Sequence, residues 1–186
     1  MYAVHTDASY LSETYSRSRA GGVHMLTDAS PPDQLKVNGP VECISTIIPT
    51  VVSSAFEAEY AAMFINGNTA AGIRNTLADL NYPQAATPMT SDNSCAVGIA
   101  NKTVKQRRSK AIDMRYHWIR DRVKRGQFLV HWLPGTKNLA DFFTKAHPVA
   151  NHRHMRQFFV RMQPLAKPRD NAHSRRSARH KATLKL

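Results

Sequence analysis

Four carboxylates stand where a folded chain could bring them together. They are Asp7 in YAVHTDAS (2–9), Glu59 in SSAFEAEYAAM (53–63), Asp92 closing TPMTSD (87–92) and Asp141 in TKNLADFFTKA (136–146). Acids that converge repel one another, and bound cations are the usual explanation of such a cluster. Hard divalent ions such as Mg²⁺ take oxygen ligands and often keep waters. Two of them about 4 Å apart activate a water and stabilise the leaving oxygen of a phosphodiester. Spacing alone leaves the ordinary alternative open, since the chain has 13 acids that could simply be scattered over a surface.

The elements that must carry these acids follow from composition and periodicity. YAVHTDAS (2–9), GGVHMLTD (21–28) and the β-branched VECISTII (41–48) read as strands, with a polar turn and a Pro/Asp/Gly loop (30–39) between them. A helix is expected from about Ser54 until Gly67 breaks it, and a second over 69–82 until Pro83. TPMTSD (87–92) is a short strand, and NSCAVGIAN (93–101) a short helix opening directly after its acid. AIDMRYHWIRDRVKRG (111–126) is an amphipathic helix with Ile112, Tyr116, Ile119 and Val123 as its apolar stripe and Gly126 past its end. QFLVHWLPG (127–135) is a strand closed by Pro-Gly, and TKNLADFFTKA (136–146) is expected to be the last helix of the domain. The fold class is therefore α/β, a mixed sheet with an antiparallel meander first, parallel strands later and helices on its faces.

Charge adds a partner. Residues 101–125 hold ten Lys/Arg against two Asp, net +8, and residues 151–186 ten against one, net +9. The rest holds six against ten, net −4. A mildly acidic body between two basic segments suits a polyanion; a solvated loop and a disordered tail is the bland alternative. No apolar run approaches the ~20 residues of a membrane span, and the first residues do not form a secretory signal. Cys43 and Cys95 lack metal spacing and read as small core residues in a reducing, intracellular setting.

Taken together, TDAS (6–9), SSAFEAEYAAM (53–63), TSDNSCAVGIA (90–100), SKAIDMRYHWIRDRV (109–123) and LPGTKNLADFFTKAHP (133–148) resemble the ribonuclease H domain that closes the polyprotein of copia-type LTR retrotransposons. The blocks occur in the family's order across residues 2–148, and IDMRYHWIRDRV and NLADFFTK are the most specific. The resemblance implies a ribonuclease H-like fold with a five-stranded mixed sheet. It also implies a two-metal site of Asp7, Glu59, Asp92 and Asp141, holding two Mg²⁺ for which Mn²⁺ can substitute. The implied reaction is endonucleolytic hydrolysis of the RNA strand of an RNA–DNA hybrid. Asp7 would bridge the metals with Asp92 beside it, Glu59 would hold one metal, and Asp141 the metal that generates hydroxide. Recognition of a 2′-OH would separate RNA from DNA.

The domain is expected over 1–148. A basic tail follows over 149–186, with a helix at 152–162 and disorder beyond Pro164. Lys102, Lys105, Arg107, Arg108 and Lys110 could contact the phosphates of a hybrid, and the tail arginines Arg175, Arg176 and Arg179 could bind nucleic acid, mimic a nuclear-import signal or belong to a disordered tail with no specific role. Cellular relatives often carry a histidine in the loop before the last Asp; here PGTKN (134–138) has none, and His131, Lys137 and Asn138 are the nearby polar groups. The reverse transcriptase domain that normally precedes this one is not in the sequence, which reads as a fragment or a short frame of a degraded element. The alternative function is a non-catalytic nucleic-acid-binding remnant. A different nuclease or an integrase of the superfamily is disfavoured by NLADFFTK.

Glu57 and Glu59 complete the sequence reading. In a helix they lie about 200° apart and cannot share a site. Ser54 and Glu57 form an S-x-x-E capping box, in which the serine accepts from the N3 amide and the glutamate reaches back to the N-cap N–H. Glu57 then serves the helix start, and Glu59 is the one left to face the other acids.

Overall fold

The computed structural model describes residues 1–160 apart from 29–30, 32–33, 35–38 and 104–112. Strands β1 (Tyr2–Glu13), β2 (Arg17–Leu26) and β3 (Pro40–Ile47) come first. They are followed by helix α1 (Ala55–Asp79), strand β4 (Thr87–Ser91), helices α2 (Ser94–Ala100) and α3 (Asp113–Lys124), and strand β5 (Phe128–Trp132). Two 3₁₀ turns, Gly135–Lys137 and Leu139–Phe143, lead to helix α4 (Val149–Phe159). The five strands form one sheet in the order β3-β2-β1-β4-β5. β1–β2 and β2–β3 are antiparallel, and β1–β4 and β4–β5 are parallel, so the mixed sheet expected from the sequence is present.

Alternation along β1 sorts the two faces. Tyr2 and Val4 join Met89, Phe128 and Val130 beneath α1, α2 and α3. Ala3 joins Val23 and Met25 on the opposite face, closed by Leu139 and Ala140 and by Met155, Phe158 and Phe159 of α4. Two consecutive glycines in β2 thin the sheet between these layers. A Cβ on Gly21 would meet the Ala140 carbonyl oxygen at 2.6 Å, and one on Gly22 would overlap the Asn66 amide of α1. Asn66 uses that space fully. Its Nδ2 donates to the carbonyls of Gly21 (3.0 Å) and Ala62 (2.9 Å), and its Oδ1 accepts from Nε2 of His24 (3.0 Å). His24 Nδ1 then accepts from the Tyr2 hydroxyl (2.5 Å), and burial keeps the imidazole neutral, with its pKa lowered to about 4. Every member of this buried network is paired, the condition under which such networks stabilise a core.

Several elements differ from the sequence reading. β1 runs on to Glu13 and β2 starts at Arg17, so the polar stretch between them is mostly strand. Gly67 does not end a helix: α1 is one 25-residue element. Its role is proximity, because a Cβ there would stand 3.0 Å from Cζ3 of Trp118 and 3.1 Å from Cδ1 of Ile119 in α3. The expected α-helix over 136–146 is instead a pair of 3₁₀ turns. Cys43 and Cys95 are exposed rather than in the core, one on the edge strand β3 and the other in the first turn of α2. Of the apolar stripe of α3, Ile119 is fully buried and Val123 packs against the main core, and Gly126 takes φ +68° just past the helix.

Candidate metal centre

The site is built where β4 and its pairing with β1 come to an end, partway along β1. Asp7 lies on β1 opposite Gly21, and its side chain is buried. Thr144 Oγ1 donates to Asp7 Oδ2 at 2.9 Å, and Asn138 Nδ2 approaches Asp7 Oδ1 at 3.5 Å. Asp92 follows the last residue of β4, just ahead of Asn93, whose side chain caps α2 by accepting from Ala96 N. Trp132 of β5 donates its indole N–H to the Asp92 carbonyl at 2.8 Å, and a Cβ on Gly135 would meet Asp92 Oδ2 at 2.9 Å. The Pro-Gly turn after β5 thus passes directly against this aspartate.

Glu59 is brought in by α1. Ser54 caps that helix by accepting from Glu57 N (3.2 Å), while the Glu57 carboxylate accepts from Ser53 N (2.6 Å). The glutamate therefore reaches one residue further back than the N-cap N–H. With Glu57 held at the start, Glu59 is buried. Its Oε1 accepts from the Ala8 N–H (3.1 Å) and its Oε2 from the Ser91 hydroxyl (3.3 Å).

Asp7, Glu59 and Asp92 each offer a carboxylate oxygen within 4.8 Å of the other two. Electrostatics agree with the geometry. Burial, reinforced by the charges of Asp7 and Asp92, pushes Glu59 up to about 9. Burial also raises Asp7 to about 7, with Asp92 and Asp141 adding to the rise and the Thr144 hydrogen bond opposing it. Asp92 is raised as well, by burial and by Asp141. Two buried carboxylates and a half-buried one, with facing oxygens, suit a hard divalent cation, whose charge would offset the burial and the mutual repulsion that raise them.

Asp141 is placed differently. It belongs to the second 3₁₀ turn, where Asn138 accepts from Ala140 N (3.2 Å) and donates to the Thr6 carbonyl (2.8 Å). The Leu139 N–H donates to Nδ1 of the buried His5 (3.3 Å), which fixes the same turn against β1. Asp141 is near enough for its charge to raise Asp7 and Asp92, yet it stands outside the close group of three. Its Oδ1 is held by Lys145 Nζ at 2.5 Å.

Asn138, Thr144, Lys145 and Trp132 are site residues that the acid pattern did not single out for these contacts. Asn138 and Lys145 flank the LADFFT stretch in sequence, which was the available signal. His131 lies in register with Thr90, one position before the end of β5, and burial lowers its pKa. Lys102 is exposed just after α2, whereas Lys105, Arg107, Arg108 and Lys110 lie outside the described residues. The tail after residue 160, with Arg175, Arg176 and Arg179, lies outside them too.

Comparison with known proteins places the fold. No protein-family model matches the chain. It is 30% identical over 110 residues, 59% of its length, to the retrovirus-related Pol polyprotein from transposon TNT 1-94 of Nicotiana tabacum, and it spans 8% of that polyprotein. Among solved structures it resembles LC11-RNase H1, isolated from compost by a metagenomic approach, with a TM-score of 0.55 at 15% identity over 77% of this chain and 91% of that one. The same enzyme in complex with an RNA/DNA hybrid gives a TM-score of 0.55 at 14% identity, covering 77% and 94%. The N-terminal RNase H domain of a Mycobacterium tuberculosis protein gives 0.51 at 14% identity, covering 77% and 89%. Among the described residues, no helix is long and apolar enough to cross a membrane.

Proposed function

We propose that this chain, a domain of ribonuclease H fold related to a retrotransposon Pol polyprotein, hydrolyses the RNA strand of RNA–DNA hybrids as part or remnant of a copia-type element. The observation that carries the reading is the convergence of carboxylate oxygens of Asp7, Glu59 and Asp92 within 4.8 Å of one another. Asp7 and Asp92 would be the central ligands of Mg²⁺ or Mn²⁺, with Glu59 on one ion and Asp141 on a second. Divalent ions in such a site supply an activated water and charge stabilisation for the leaving oxygen.

The chain's own groups do the rest. Thr144 and Asn138 orient the Asp7 carboxylate from one side. Ala8 and Ser91 orient Glu59 from the other. The Pro-Gly turn at Gly135 passes close against the Asp92 carboxylate. Such contacts hold ligands in place before substrate arrives, which is where positioning aids the chemistry. Lys102 and the basic residues Lys105, Arg107, Arg108 and Lys110 would meet phosphates without reading sequence. A reverse transcriptase domain would be the natural covalent neighbour.

The test is cleavage of a labelled RNA–DNA hybrid in Mg²⁺, beside an Asp92→Asn variant. The expected result is cleavage by the parent chain and its loss in the variant. No cleavage by the parent overturns the enzymatic reading in favour of a binding remnant, and equal cleavage by both overturns the site assignment.

A further inference from the structure

We propose that Lys145 is an internal counter-ion that holds Asp141 apart from the other three acids and must be displaced by the second divalent ion, so that the two ions load in order. The inference rests on reading the site as a two-metal centre. Its observations are geometric. Asp7, Glu59 and Asp92 form a close group without Asp141. Asp141 Oδ1 is instead occupied by the Lys145 ammonium, 2.5 Å away and four residues on.

Lys145 is partly exposed, and its ammonium contacts Asp141. Its charge also bears on Asp7 and Asp92, which lie on two other elements, and it opposes the rise that burial imposes on both. The direct contact, however, is with Asp141 alone among the four acids, at the position where the fourth acid would be recruited.

The order of loading follows. A first ion on Asp7, Glu59 and Asp92 needs no lysine to move. A second ion needs Asp141, and must first break its pair with Lys145. Both side chains are partly open to water, at 54% and 35% exposure, so the pair is weak enough to yield. Breaking an exposed pair of this kind changes an equilibrium constant by about fivefold. Lys145 is therefore a positioning residue: it acts on the reaction through Asp141 and sets the divalent-ion concentration at which the fourth ligand becomes available.

Calorimetric titration of Mn²⁺ into the full 186-residue chain tests this, alongside Lys145→Met and Lys145→Arg, with circular dichroism confirming that each variant is folded. The expected parent isotherm has one tight and one weak step. Lys145→Met should tighten the weak step about fivefold and leave the tight step within about twofold, whereas Lys145→Arg should keep the weak step. A weak step unchanged or weakened in Lys145→Met overturns the proposal. Equal tightening of both steps overturns it as well, since the lysine would then act only as a general field. A parent chain that binds no divalent ion removes the two-metal reading itself, an outcome distinct from ions that bind while Lys145→Met changes nothing.

Discussion

The backbone N–H of Ala8 donates to Oε1 of Glu59 at 3.1 Å, so the strand that carries Asp7 also anchors the glutamate of α1. One residue of β1 positions an acid and the next grips another. Replacing Glu59 with Gln keeps an acceptor for Ala8 and removes the charge. Hybrid cleavage should fall about 100-fold or more, while the metal-free melting temperature near neutral pH stays level or rises, because the unfolded chain no longer gains from ionising an acid that burial keeps protonated in the native state. Glu57→Gln should change cleavage by no more than about twofold, since Gln also serves at N3. Steady-state cleavage and thermal melting of both variants check the division. Comparable activity loss in the two would contradict it.

Stability of the metal-free chain should fall as pH rises. The native pKa values of Asp7 (about 7) and Glu59 (about 9) lie above the unfolded value of about 4. Between those limits the unfolded chain has released protons that the native state still holds, so rising pH favours unfolding. The loss begins above about pH 4, runs through the two native values and levels off beyond them. Saturating Mg²⁺ should flatten the slope by stabilising the charged forms. Melting temperatures in chelator and in Mg²⁺ from pH 5 to 9 measure it, and a rise with pH in chelator would refute it.

Asn138 should matter as much as an acid. It donates to the Thr6 carbonyl, approaches Asp7 and caps the turn that carries Asp141. Asn138→Ala strands the buried Thr6 oxygen and Ala140 N–H, at about 1–3 kcal/mol by urea denaturation. Cleavage should drop further than stability alone explains, because the alignment of Asp7 and Asp141 loosens together.

Asp92 was legible because it directly follows its strand, and the blocks around the acids resemble a known series, whereas Asp7, expected near the end of the first strand, lies midway along β1, which runs on to Glu13. Glu59 was separable from Glu57 because helical angle and capping are local properties. What escaped was long-range. The 136–146 segment has helical composition, but Asn138, His5 and Gly21 draw it into tight 3₁₀ turns against β1 and β2. Nothing in those residues announces partners more than a hundred positions away. Gly67 was misread for the same reason, since glycine as a breaker is a local rule and its use here is contact with α3.

Gly67→Val supplies a direct check of that contact. A branched side chain would press on Trp118 and Ile119, because even its Cβ would stand 3.0 and 3.1 Å from them, closer than ordinary van der Waals contact. The expected cost is about 1–3 kcal/mol in urea denaturation, with cleavage retained under conditions where the variant is folded. A stabilised variant would mean that α3 yields easily, and that Gly67 is not there for proximity.

The paired glycines of β2 give the domain a shared tolerance. Gly22 abuts Asn66 of α1 and Gly21 abuts Ala140 of the last 3₁₀ turn, with only backbone between them. Two layers that touch through a single peptide plane cannot drift independently. A substitution that shifts the helix is transmitted to the turn that holds Asp141, and a lengthened turn would push back on the helix that delivers Glu59. Lineages of this domain should therefore change these two parts in step, and a graft of either part alone from a distant homologue should cost activity before it costs the fold.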